Sequence, residues 1–379
     1  MSMQTSQEIK PRLFFVDNLR TFLIALVFIV HLSIIYGSPV GSFYGFKAQA
    51  STAVDAVYVI FAAVVQAFFM GLLFLLSGYF TVPSYDRKGS KQFLKDRLIR
   101  LGVPLLIFAL LIDLPIEYGL SVTRGWFHGS FIAFLSNPQF YAPVGPLWFV
   151  LALLFFVVAY VGWRALSPMS TKPRAFPRNS VILAFALLLG SATFVVRLMF
   201  PIGWNAPWLN FQLAFFAQYV ALFIVGLIAF RSNWLVTISN KTGRFWSKIA
   251  VALAPILIVI LLSGLMFGGS ISLFFGGFNW QAAAYAFWEQ LFAVAVCIGL
   301  TVWFRENINF RNRFTKALSE SSYAAYILQV PVLIFLVIAL QGLSLPLLLK
   351  WVVVSPIGVA LCFAVAFLVR KIPKADKLF

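Results

Sequence analysis

Apolar residues run along this chain in blocks of about twenty, separated by short polar stretches that carry charge, proline or glycine. A run of about 20 apolar residues, wound as a helix, crosses the hydrocarbon core of a bilayer. The pattern predicts ten such helices, at 14–36, 54–82, 98–118, 145–163, 180–200, 209–230, 249–269, 283–304, 321–341 and 344–369. Breakers fall between them: Pro83-Ser84, Pro168 with Pro173 and Pro177, Pro201-Ile202-Gly203, and Gly276-Gly277. The expected fold class is therefore all-α, a polytopic integral membrane protein of about ten transmembrane helices. The runs leave no stretch long enough for a soluble fold, so residues 1–379 are expected to form a single transmembrane domain with no appended soluble domain.

Charge gives the expected orientation. With the N-terminus in the cytoplasm, 25 of the 29 Lys and Arg fall in inside segments. These are Lys10, Arg12 and Arg20; the cluster from Arg87 to Arg100; Arg164 to Arg178; Arg231 to Lys248; Arg305 to Lys316; and Arg370 to Lys377. Lys47, Arg124, Arg197 and Lys350 fall outside. Such an excess of inside cations predicts an N-in/C-in protein of a cell inner (plasma) membrane. The first apolar run leads straight into further spans and lacks a small-residue cleavage site, so it reads as a retained helix rather than a secretory signal.

Composition narrows the classes further. Hydrophobic residues are 62% of the chain and charged residues 11%, against about 25% charged in an average soluble domain. The net charge of +18 does not point to nucleic acid, because the cations sit in loop-sized clusters between apolar runs. Cys297 and Cys362 lie inside apolar runs and have no metal-ligand spacing, so no metal is expected. The outer side is rich in tryptophan: Trp126, Trp204, Trp208, Trp280 and Trp288, with Trp148 and Trp351 near the same level. An interfacial aromatic belt accounts for such residues, and so does a platform for stacking on sugar rings.

Ionisable groups inside a bilayer are costly, which makes each a candidate for function. The first helix carries Asp17, Arg20 and His31. Arg20 and His31 lie eleven residues apart and share a helix face, with about 16 Å of rise between them. Asp17, three residues before Arg20, joins the same stripe. His31 can take and release a proton near neutral pH; the only other histidine, His128, falls in an outside loop. A packed, hydrogen-bonded helix histidine is the plainer reading of His31. Arg97 and Arg100 are placed to bind a polyphosphate bidentately, although paired arginines at a helix end also serve as topology anchors. Glu289, Asp113 and Glu117 are the remaining acids that could orient a hydroxyl or face His31.

The segment Asp17-Asn18-Leu19-Arg20, followed after ten residues by His31, resembles the opening of the membrane acyltransferase-3 family. Arg97-x-x-Arg100 resembles its second signature. Phe74 to Phe80, Gly145-Pro146-Leu147-Trp148-Phe149 and Ser321 to Ile327 are similar in turn, spread over the chain in family order. The opening looks closest to the glucan-modifying succinyltransferase branch. The resemblance implies transfer of an acyl group from cytoplasmic acyl-CoA (acetyl-CoA or succinyl-CoA) to a carbohydrate hydroxyl outside. It implies His31 as the catalytic histidine, Arg97 and Arg100 as donor-phosphate ligands, and Arg20 as a support of the donor site or of the histidine. One departure stands out: Gln329 follows Ile327-Leu328 where many members carry histidine.

The leading expectation is thus a transmembrane O-acyltransferase whose site residues are His31, Arg20, Asp17 and Glu289, with Arg97 and Arg100 on the donor. Its expected partners are a carbohydrate acceptor on the outer face and membrane lipids, with no nucleic acid. The alternative is a transporter or exporter of a glycan precursor or small solute using the same polar groups, although the halves 1–180 and 181–379 show no convincing repeat. A non-catalytic scaffold would leave the Arg20 and His31 stripe unexplained.

Overall fold

The computed structural model describes residues 12–37, 43–46, 52–137, 144–167, 172–206, 209–266 and 270–373. The structure they form is helical, and their only β-pairing is two isolated bridges. The apolar runs become α1 (Phe14–Tyr36), α2 (Thr52–Gln66), α3 (Phe69–Arg97), α7 (Trp148–Leu166), α8 (Asn179–Met199), α9 (Phe216–Arg231), α11 (Asn240–Met266), α12 (Trp280–Asn307), α13 (Arg313–Ala339) and α14 (Leu347–Val369). Between α3 and α7 lie the short helices α4 (Val103–Ile107), α5 (Leu114–Thr123) and α6 (Phe131–Leu135), with π-helical turns at Leu98–Gly102 and Phe108–Asp113. One more short helix, α10 (Trp234–Thr237), follows α9.

Nine stretches among the described residues are long and apolar enough to span a membrane, and one of them, Ala53–Thr123, is 71 residues long. That stretch folds back on itself. Gly89 sits at φ 73°, where a left-handed backbone breaks the helix. Around it, Tyr85 packs against Phe93 with ring centroids 5.6 Å apart, and Lys88 pairs with Asp96. Residues eight apart in a straight helix would be separated by about 12 Å along the axis.

The neighbouring helices run in the directions that two crossings within this stretch require. On α1 and α13 the contacts climb together, from Arg20 with Ser319 to His31 with Gln329, so the two helices are parallel. The first arm of α3 and α9 climb together likewise, from Ala67 with Gln218 to Tyr79 with Phe230. Both parallel pairs need Ala53–Thr123 to cross twice, which gives ten crossings among the described residues. The predicted span 54–82 is, in detail, two helices, α2 and the start of α3, joined through Ala67 and Phe68. The carbonyl that this break frees at Ala67 accepts from Gln218 Nε2 at 2.7 Å, as an interruption away from water requires.

The predicted inside segments gather on one side. Asp86 is shared by Arg164 and Arg231 at 3.5 and 2.6 Å. Arg305 Nη2 donates to Asn240 Oδ1, Arg370 faces Glu320, and Asn18 Nδ2 donates to the carbonyls of Ile308 and Phe310. Two of the four cations assigned outside depart from that picture. Arg197 is fully buried on α8, and Lys350 is buried on α14, where its ammonium donates to the Leu343 carbonyl at 3.0 Å. For Arg197 a neighbouring helix supplies the partner, Glu289 of α12, and for Lys350 the turn between α13 and α14 does. Lys47 lies outside the described residues.

Helices α3 and α9 cross with their backbones in close approach. A Cβ on Gly78 would strike the Phe223 carbonyl, and one on Gly226 would strike the Leu75 carbonyl. Without a hydrophobic drive between helices in lipid, small residues that let backbones approach are what hold such crossings. Gly226→Val is expected to cost more than the roughly 1–3 kcal/mol of ordinary overpacking. The thermal melt of purified protein should show a lowered transition or loss of a monodisperse species. Gly162→Ala, where the added methyl meets open space, should leave the melt unchanged.

Candidate active site

The polar stripe on α1 meets α13 along its length. Arg20 Nη2 donates to the Ser319 carbonyl at 3.3 Å, Thr21 and Ser322 share a hydrogen bond at 3.1 Å, and His31 Nδ1 lies 2.9 Å from Gln329 Oε1. Asp17 holds Arg12 at 2.7 Å and Arg20 at 3.5 Å, so it orients cations at the stripe's entry rather than the histidine.

The Gln329 contact fixes more than a distance. Gln329 is fully buried, and its Nε2 donates to the Tyr326 carbonyl at 3.0 Å. That bond sets which end of the amide is nitrogen, so the oxygen faces His31. An amide oxygen only accepts, so Nδ1 carries the hydrogen, and in the neutral ring Nε2 keeps its lone pair. The position where the sequence departs from the family pattern is therefore the partner of His31.

Beyond the ring, Phe43 stacks on His31 with centroids 4.6 Å apart. Phe43 and Phe46 are bridged across a tight turn, with Tyr44 and Gly45 at positive φ. The Tyr44 hydroxyl donates to Asp113, and Arg124 Nη1 donates to the Tyr44 carbonyl at 2.6 Å. Burial, and then the neighbouring Asp113 carboxylate, push the Tyr44 hydroxyl well above its ordinary pKa, so it stays a donor. This turn caps His31 on the side away from Arg20.

On the near side lies a cavity of about 590 Å³, within the size range of small-molecule sites. Arg20, Arg97 and Arg100 all line it, together with Arg12 and Arg370. The predicted Arg97-x-x-Arg100 face is not that of a regular α-helix, because Leu98–Gly102 is a π-helical turn. Such turns recur at functional sites. Here Tyr323 Oη donates to the Arg100 carbonyl at 2.9 Å, and the Arg97 guanidinium rests 5.2 Å from the Phe93 ring centre. Tyr326 also lines the cavity and hydrogen-bonds through its hydroxyl to the Pro146 carbonyl. It thus joins the arginine cavity to the Gln329 and His31 pair. Arg12 and Arg370 read in the sequence as ordinary inside charges; nothing local in the chain signals that they converge.

Glu289, expected among the catalytic groups, is engaged elsewhere. Arg197 Nη2 donates to its Oε2 at 2.6 Å, with both side chains fully buried, and Gln290 Nε2 donates to the same oxygen at 2.8 Å. Gln218 links Gln290 to the Ala67 break. The Arg197 guanidinium lies over Phe215 and Tyr285. The tryptophans divide as well. Trp288 is buried between Tyr285 and Phe292, and Trp148 stacks on Tyr219, while Trp126, Trp204 and Trp280 are exposed. Trp208 lies outside the described residues.

A family model described as an acyltransferase domain matches residues 13–370. The chain belongs to the acyltransferase-3 family. Its long apolar helices make it a multi-pass membrane protein. Among curated proteins it is 28% identical over 233 residues to the glucans biosynthesis protein C of Salmonella paratyphi B and to that of Salmonella enteritidis PT4, covering 58% of this chain and 59% of each relative. The counterpart from Salmonella paratyphi A is 28% identical over 236 residues, with the same coverage. The chain thus spans about three-fifths of the length of the relatives it matches. No solved structure matches it.

The buried Arg197–Glu289 pair gives a stability test. Removing one partner strands a buried charge and costs about 3–5 kcal/mol, whereas replacing both by apolar residues is often nearly neutral. Arg197→Leu or Glu289→Leu alone should lower the melting temperature sharply, and the double variant should recover most of the loss. Additive losses in the double variant would contradict the pairing.

Proposed function

We propose that this acyltransferase moves an acetyl or succinyl group from cytoplasmic acyl-CoA to a hydroxyl of a carbohydrate on the outer face of the inner membrane, within a single transmembrane domain with both termini inside. The observation that carries the reading is the polar path from the cavity of five arginines, through Tyr326 and Gln329, to an imidazole whose Nε2 is free to accept. Guanidinium groups suit the phosphates of coenzyme A, because each can make two parallel charged hydrogen bonds. His31 stands about 16 Å beyond Arg20, a gap that an extended pantetheine arm could bridge. The glucan biosynthesis named for the relatives supports a glucan-type acceptor.

His31 Nε2 takes the proton of the attacking hydroxyl as its oxygen bonds to the thioester carbonyl carbon. The carbon–sulfur bond breaks, the leaving thiolate receives that proton, and the products are the sugar ester and free coenzyme A. Throughout, Nδ1–H stays on Gln329 and keeps Nε2 facing the reacting atoms. The ring of Phe43 and the surrounding apolar helices exclude water, which limits hydrolysis of the thioester. Arg12 and Arg370 extend the donor-binding surface beyond Arg97 and Arg100.

His31→Ala is expected to abolish acyl transfer in protein that inserts and melts normally; normal acylation by such a variant would remove His31 from the mechanism. Gln329→Leu, which loses a hydrogen bond of about 0.5–1.5 kcal/mol, should lower kcat by up to about tenfold and leave the donor KM in place. Arg97→Ala and Arg100→Ala should do the reverse, since a charged hydrogen bond is worth about 1.5–3 kcal/mol. Donor titration of purified protein should show affinity falling about tenfold to a hundredfold, and Lys at either position should rescue only partly.

Sidedness is testable with single cysteines placed beside Arg100 and beside Trp204, in a background lacking Cys297 and Cys362. A membrane-impermeant thiol reagent should reach the first from the cytoplasm only, with protection by acyl-CoA, and the second from outside only. Labelling of the Arg100 region from outside would refute vectorial transfer.

A further inference from the structure

A second cavity, of about 530 Å³, runs between α7 and α9 and shares no lining residue with the arginine cavity. Its length is apolar, lined by Phe156 and Ala159 of α7 and by Val220, Ile224 and Leu227 of α9. Val220 and Ile224 are 42% and 48% exposed, so the groove opens to the surroundings of the helix bundle rather than to its core. One end has the opposite character. Arg231, the last residue of α9, and Arg174, from the extended stretch 172–178, line that mouth together with Trp163. Arg164, next to Trp163, reaches the same Asp86 carboxylate as Arg231.

The charge there is unbalanced. Arg164 and Arg231 share the single carboxylate of Asp86, and each keeps a buried Nε without a partner. Arg174 is anchored by its backbone, its N–H donating to Ser232 Oγ at 3.1 Å and its carbonyl accepting from Trp234 at 2.8 Å, with the side chain exposed. Two guanidinium groups therefore share one carboxylate, and Arg174 and Lys172 join Arg231 in lining the mouth of a greasy slot. From Val220 to Arg231 the helix rises about 16 Å, close to half of the roughly 30 Å hydrocarbon thickness. The slot is thus one leaflet deep, with cations at headgroup level and a tryptophan beside them, as at a membrane interface.

We propose that this groove holds one phospholipid with an anionic headgroup, its phosphate between Arg174 and Arg231 and an acyl chain along Val220, Ile224 and Leu227. A free phosphate or a nucleotide would use the mouth and leave the apolar length bare. A lipid without net charge would fill the length and leave the cation excess unmet. The bound lipid acts as a strut between α7 and α9. Through Asp86 it also braces the first arm of α3, just before the Gly89 fold-back that leads to Arg97.

Native mass spectrometry of the full-length protein, exchanged into mixed micelles of phosphatidylglycerol and phosphatidylcholine with identical chains, tests this. One phosphatidylglycerol should stay bound, preferred about tenfold over phosphatidylcholine. The preference should vanish in Arg174→Gln and in Ile224→Trp, which fills the slot; both variants should keep the wild-type melt in phosphatidylcholine. A phosphatidylglycerol with a photoreactive chain should label α9 between Val220 and Ile228. Equal retention of the two lipids, or undiminished preference in both variants, would overturn the proposal. So would inorganic phosphate displacing the bound lipid, which would mark an anion site without a chain-binding slot. Acylation plays no part in these readouts, so they stand or fall apart from the proposed reaction.

Discussion

In hydrocarbon a polar group has no water to fall back on, and an unmet N–H, carbonyl or charge costs several kcal/mol. This constraint decides where the protein keeps its side-chain amides. Gln218 closes the carbonyl freed between α2 and α3 and passes on to Gln290, which reaches the Arg197–Glu289 pair. Gln329 ties the Tyr326 carbonyl to His31. Gln290 and Gln329 each donate and accept at once, and Gln218 donates twice from its one nitrogen, so each joins two groups that could not satisfy one another. Remove them and the broken helix, the buried ion pair and the imidazole all lose their place.

The architecture was legible in the sequence because it rests on one-dimensional signals. Blocks of apolar residues gave the spans, and the cation clusters grouped by the sequence come together in space through the Asp86, Asn240 and Glu320 contacts. The stripe from Arg20 to His31 was legible because an eleven-residue spacing on a single helix fixes a face. The partners across helices were not. Gln329 stood out as a departure from the family pattern, but its contact with His31 depends on α1 and α13 running parallel in register. Arg197 looked like an outside loop cation because it lies near a helix end; only its approach to Glu289, 92 residues away, shows it to be interior. Arg12 and Arg370 come from opposite ends of the chain, and no local pattern could bring them to one cavity.

The winding of the chain between α3 and α5 sets the two sides of the site. Two π-helical turns lie in this stretch, one carrying Arg100 and the other Asp113. The first turns its arginine into the cavity below His31, and the second holds the carboxylate that receives Tyr44 from the turn above. A single irregular crossing thus contributes to both faces of the histidine, where two regular helices would otherwise be needed. Sequence periodicity is blind to such turns, because it assumes the α-helical pitch that they abandon.

The neutral partner of His31 also bears on timing. A catalytic histidine backed by a carboxylate can hold its second proton as half of an ion pair, and so can wait between steps. Gln329 supplies direction but no countercharge, and Phe43 covers the ring on the other side. On the proposed chemistry, the imidazolium formed when the sugar hydroxyl gives up its proton has no carboxylate beside it, so it is a lone cation with nowhere to rest. Proton uptake and proton release are thereby pressed into nearly the same instant. On that reading the site would work as a relay with no holding point, and a donor that arrived without an acceptor would find no charged resting state in which to be spent.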